Sequence, residues 1–92
     1  MKNNKYITKE ILKSIAEIAA KEYYGDNIYE NQGEETLEIA EETLDWVWLL
    51  YARDYIEDCT FEYNDLTKKN KKYLIKSLIE IYHTEKIKEL TK

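Results

Sequence analysis

The chain has 92 residues, 43% hydrophobic and 36% charged, with no Pro, two Gly and a formal charge of −5. A composition this apolar excludes intrinsic disorder, and so few breakers exclude a fold of many tight turns, so one helical domain with a modest core is expected. The N-terminal stretch MKNNKYITKEILKS has no apolar signal core, no run of about 18 residues is free of charge, and a lone Cys59 cannot form an internal disulfide; the expectation is a soluble, cytoplasmic protein that does not engage a membrane.

The first helix is expected over 9–23, with Thr8 as N-cap and Ile11, Leu12, Ile15, Ile18, Ala19 and Tyr23 recurring at three and four residues. Residues 24–33 hold both glycines and three Asn or Asp, which reads as a loop with Gly25 closing the helix before it. A second helix is expected over 34–57. Cys59 to Tyr63 alternates weakly enough for a short extended piece, and Asn64 or Asp65 reads as the cap of a third helix over 66–82. His83-Thr84 reads as a break, with Thr84 capping a short helix over 84–90. Amphipathic helices need one another to cover their apolar stripes, so the expected fold is an all-α, three-helix bundle-like domain occupying residues 1–92, with this short fourth helix at its C-terminal end.

The central helix carries the most information. Its heptad EETLEIA-EETLDWV holds Leu37, Ala40, Leu44, Val47, Trp48, Tyr51 and Tyr55 in one seam facing the other helices. Beside the seam, Glu34, Glu38, Glu41, Glu42 and Asp45 stack in a single column at spacings of three and four. Like charges so placed cost about 0.2–0.5 kcal/mol per pair, part of it returned near the positive end of the helix dipole. Seven residues from Trp46 to Ala52 then pass without a charge, and the face opposite the seam carries Ile39, Trp46 and Leu50. A small bundle has difficulty burying both tryptophans, so this face is either an association surface or covered by Ile28 and Tyr29 of the preceding segment. The column is either a solvated face or a docking face.

Charge is divided along the chain. Residues 24–65 hold thirteen acids against one Arg, whereas residues 66–92 hold eight Lys against three Glu. Lys68, Lys69, Lys71 and Lys72 crowd the start of the third helix, where the dipole disfavours positive charge. Either nearby acids (Glu57, Asp58, Glu62, Asp65) offset them, or they form a phosphate patch with Tyr63 or Tyr73 available to stack on a base. The acidic total argues against direct binding of duplex nucleic acid.

No catalytic residue, metal site or cofactor is expected. Glu80 and His83 have the Glu-x-x-His spacing of di-iron bundles, but those sites need a second copy and two further Glu, and the chain has one His. Cys59 has no cationic neighbour in sequence to activate it, and Gly25 and Gly33 are too isolated to form a phosphate loop. The residue usage, rich in Lys, Asn, Ile, Glu and Tyr with a single Arg, is that of an AT-rich genome such as a low-GC bacterium or its phage. In size and composition, though by no motif, the chain resembles the small acidic proteins with which phages block host nucleic-acid enzymes, including defence nucleases. That resemblance implies a non-enzymatic inhibitor acting as a nucleic-acid mimic toward a protein with a basic surface. The alternatives are a self-associating scaffold or regulatory module, dimerising through Ile39, Trp46 and Leu50, and a nucleotide-binding module using the lysine run.

Overall fold

The computed structural model describes residues 7–56, 59–60 and 62–90. The fold is all-α, and no strand occurs among the described residues. Helix α1 (Lys9–Ile18) starts where expected: Thr8 is extended, and its hydroxyl accepts from the Ile11 N–H at 3.2 Å, satisfying one otherwise orphaned donor. Leu12, Ile15 and Ala16 are its buried residues. The chain then loosens into one π-helical turn, Ala19–Tyr24, and continues as α2 (Gly25–Glu30), with helical backbone at both junctions.

A π turn adds one residue to the helical count. After Ala19 and Ala20, an unbroken α-helix would turn Asp26 and Glu30 toward the core. The added residue moves the inward stripe on by one, so Tyr24 and Ile28 are buried while Asp26 and Glu30 stay exposed. The expected loop over 24–33 is therefore corrected to a helix that runs to Glu30, and the expected end of the first helix at residue 23 moves with it. It terminates at Asn31, where the Gly33 N–H donates to the Ile28 carbonyl at 2.8 Å and the Gln32 N–H to the Tyr29 carbonyl at 3.1 Å. Gln32 takes φ 64° and Gly33 φ 83° to make that turn.

Gly25 is mid-helix at φ −60°, and a methyl group there would meet Tyr82 Cε1 at 3.7 Å, an ordinary contact. Gly25→Ala should therefore raise stability by about 0.5–1 kcal/mol, read as a higher urea midpoint. A lower midpoint would place the chain reversal at Gly25, as the sequence suggests.

Helix α3 (Leu37–Tyr55) begins later than expected, because Thr36 is the cap and accepts from the Ile39 N–H at 3.2 Å. Glu34 thus precedes the helix. The helix also ends before 57, and Glu57 lies outside the described residues. Ala40, Leu44, Val47 and Trp48 are buried as expected, joined by Thr43 and Ala52, whereas Leu37 and Tyr55 at the two ends of the expected seam are exposed. Ile39, expected on the outward association face, is buried. The reason is the unforeseen α2, which packs over the first turns of α3: Asn27 Nδ2 donates to Thr43 Oγ1 at 2.6 Å, and that hydroxyl donates to the Ile39 carbonyl at 2.8 Å. Thr43 is fully buried and keeps the Ile39 carbonyl as its own acceptor, so the Asn27 bond is a net contribution of about 0.5–1.5 kcal/mol that holds α2 on α3.

After Ile56 the chain returns through a 3₁₀ turn, Tyr63–Asp65, closed by reciprocal bonds between Glu62 and Asp65. Helix α4 (Lys68–Leu90) is capped by Thr67, whose hydroxyl accepts from the Asn70 N–H at 3.2 Å, rather than by Asn64 or Asp65. It passes His83-Thr84 without a break, so 84–90 is helical as expected but as a continuation of α4 and not as a separate helix.

Helices α1 and α4 run parallel, since Lys9 lies near Tyr73, Lys21 Nζ is 3.8 Å from Glu85 and Tyr24 packs edge-on to Tyr82. Helix α3 runs antiparallel to both, as the Tyr23–Tyr51 hydroxyl pair at 3.0 Å and the His83–Glu35 contact at 3.1 Å require. The shared core comprises Leu12, Ile15, Ala16, Leu44, Val47, Trp48, Leu74 and Leu78 with their neighbours.

Candidate interaction face on α3

The α3 surface turned away from α1 and α4 is set by helical spacing. Glu38, Glu41, Glu42 and Asp45 project from successive turns and are all exposed, and Glu34 stands just before the helix, also exposed. None of the five makes an ion pair with a described residue. The neighbouring Glu35 differs, because its Oε1 meets His83 Nε2 on α4. Among the described residues, the four acids on α3 therefore form a run of carboxylates without a cationic partner on a rigid helix.

Directly after it, Trp46 is 52% exposed, Leu49 63% and Leu50 44%, while Trp48 is 3% exposed. The two tryptophans are separated by two residues and hence by about 200° around the helix, so they face nearly opposite ways. Ile28 is buried in the core, but Tyr29 points to solvent, and the 24–33 segment leaves half of Trp46 open. Of the expected apolar association residues, Trp46 and Leu50 are thus at the surface and Ile39 is not. Leu49 joins them, and Arg53, one turn further along, is exposed as well.

One edge of the face is walled by the returning chain. Tyr63 is buried, and burial, with Glu41 and Asp45 beyond it, pushes its phenol well above the ordinary value. Its hydroxyl interacts with the Glu41 carboxylate, which adds to that upward shift. A cavity of about 80 Å³ opens beside it, lined by Asp45, Trp48, Leu49, Arg53 and Cys59 among others. Sequence reasoning carried the sector of the column on to Leu49 but missed Arg53 and Tyr63 here; the spacing of 53 from 42, 45 and 46 was the available signal, whereas the approach of Tyr63 depends on the packing of the 62–66 segment against α3.

The lysine run divides. Lys69 and Lys72 face a groove toward α1, and Lys71 Nζ lies 5.6 Å from the Tyr63 ring centroid. Lys68, Lys69, Lys71 and Lys72 make no ion pair with Glu62 or Asp65, whose carboxylates close the 3₁₀ turn instead. Glu57 and Asp58, the other acids expected to offset them, lie outside the described residues.

Among the described residues, no group of His, Cys, Asp and Glu is arranged to hold a metal ion, and no helix is long and apolar enough to cross a membrane. His83 is placed by its Glu35 contact and by edge-on packing with Tyr82. Comparison with known proteins finds no match: no family model, no curated protein and no solved structure is similar to this chain.

Proposed function

We propose that this is a non-enzymatic interaction protein of inhibitor type, which docks the outer face of α3 on a basic surface of a nucleic-acid-handling protein. The observation that carries this reading is the continuity of the face: exposed carboxylates at 38, 41, 42 and 45, none in an ion pair with a described residue, lead into exposed Trp46, Leu49 and Leu50. Carboxylates about 5–6 Å apart on a rigid helix can occupy places where a partner's Lys and Arg otherwise hold phosphates. Their field steers a basic partner, and the apolar patch supplies the desolvated centre from which interfaces draw most of their energy. The compositional likeness to phage inhibitors makes a bacterial defence nuclease the first partner class to test, in the cytoplasm of the host.

The test is capture from a low-GC bacterial lysate, with identification by mass spectrometry and competition by duplex DNA. A basic nucleic-acid enzyme should be retained at about 50 mM salt, released at about 500 mM and displaced by DNA. Retention that ignores both salt and DNA would overturn the mimic reading. The second reading, a homodimer through Trp46 and Leu50, is favoured by the same exposed indole but loses Ile39 to the core. Recovery of the protein alone, with a mass that rises with concentration, would replace the first reading with this one.

A further inference from the structure

Four lysines that no described carboxylate neutralises line one groove between the first turns of α1 and α4. Lys9 from α1 and Lys69, Lys72 and Lys76 from α4 rim a hollow of about 230 Å³ whose lining includes Leu12 and Tyr73. Residues 69, 72, 73 and 76 recur at three and four, so they share one face of α4. Leu12 is buried and Tyr73 half-buried, while the four lysines are exposed. Lys9 Nζ stands 5.9 Å from the Tyr73 ring centroid, at the outer limit of a cation–π contact, so its flexible side chain can yield the ring to another flat group.

The parallel course of α1 and α4 puts both helix N-termini at this end, and two positive dipole ends reinforce the lysines. Without a ligand, like charges are therefore gathered where the backbone already disfavours them. The groove continues past Tyr73 and Lys76 into a second hollow of about 240 Å³ lined also by Lys13 and, at its far side from Lys69 and Lys72, by Ser77 and Glu80, so the anionic part of a ligand belongs in the first hollow. Each hollow is smaller than a typical pocket for a whole ligand of drug size, so each suits one part of a longer one.

The geometry points to a binding site for a nucleoside polyphosphate, its base lying on Leu12 and Tyr73 and its phosphates meeting Lys9, Lys69, Lys72 and Lys76. A single carboxylate would leave most of these ammonium groups unpaired, whereas a di- or triphosphate matches several at once. A base supplies the flat partner that an aromatic ring stacks on. The site is built from α1 and α4 rather than from the acidic face of α3 and does not depend on the function proposed for that face.

The test is calorimetry and amide chemical-shift mapping of the full chain with ADP, AMP, pyrophosphate and an oligothymidylate of about eight nucleotides. ADP should move the amides of Leu12, Lys69, Lys72 and Tyr73 and bind about tenfold more tightly than AMP or pyrophosphate. Lys69→Gln with Lys72→Gln should weaken ADP by about tenfold or more, and Tyr73→Leu should weaken ADP while leaving pyrophosphate unchanged. Circular dichroism of each variant checks that the fold is retained. Equal binding of ADP and pyrophosphate would reduce the site to a bare charged patch and overturn the proposal. Shifts centred elsewhere, or oligothymidylate binding where ADP is silent, would overturn it as well.

Discussion

Replacing Trp48 with Ala should cost the fold about 3–5 kcal/mol, whereas the same truncation at Trp46 should cost less than about 1 kcal/mol and act instead on association. The two side chains are chemically identical and adjacent but one in sequence; what separates them is the helical turn. Trp48 sits at 3% exposure in the core cluster that includes Leu44, Ala52 and Tyr63, so removing its ring leaves a cavity that three helices cannot easily close. Trp46 is half in solvent already, and truncation removes surface that water replaces. A domain of this size has about 5–10 kcal/mol of stability to lose, so Trp48→Ala should approach the limit of folding while Trp46→Ala stays near the parent urea midpoint. Equal losses at both sites would mean that the patch on α3 is covered, and the interface would have to be sought elsewhere.

The second large effect concerns the acids. Replacing Glu38, Glu41 and Glu42 with Gln and Asp45 with Asn should weaken partner binding by about 100-fold at low salt, with most of the difference disappearing at high salt. Folding should be unchanged or slightly improved. The variant removes four like-charge contacts, 38 with 41 and 42, and 45 with 41 and 42, each costing about 0.2–0.5 kcal/mol. Only Glu38 lies in the first turn, where the helix dipole returns part of that cost. A protein that keeps four mutually repelling groups on one face without described counterions gives up a little stability, and binding to a basic surface is what would offset it. If the neutralised protein retains its partner with undiminished affinity, the column is a solvated face and the mimic reading fails.

Where the sequence misled, it did so for local physical reasons. A two-glycine stretch rich in Asn and Asp is the usual signature of a loop, and Gly25 was the natural stopping point. The contrary signal was also present: apolar positions 20, 24 and 28 continue the stripe of α1 once a single residue is skipped, and that skip is what a π turn supplies. The His83-Thr84 pair misled in the opposite sense. Thr84 is an exposed position on a helix held by its neighbours, Tyr82 packing on Tyr24 and His83 reaching Glu35, so a residue that favours caps is carried along as interior.

What the sequence by itself determined is everything that depends on residues close along the chain: the helical class, the cap at Thr8, the column at 38, 41, 42 and 45, the uncharged run after it, and the opposed directions of Trp46 and Trp48. Helical periodicity encodes all of these, because residues three and four apart must share a face. What only the tertiary structure decided is which of those faces is covered. Ile39 is buried because α2 lies over it, Tyr63 borders the acidic column because the 62–66 segment packs against α3, and Lys69, Lys72 and Lys76 are joined by Lys9 because α1 and α4 run parallel. Such coverage arises between segments distant in sequence, where burial and packing prevail over local preference, and no periodicity within one helix can report it.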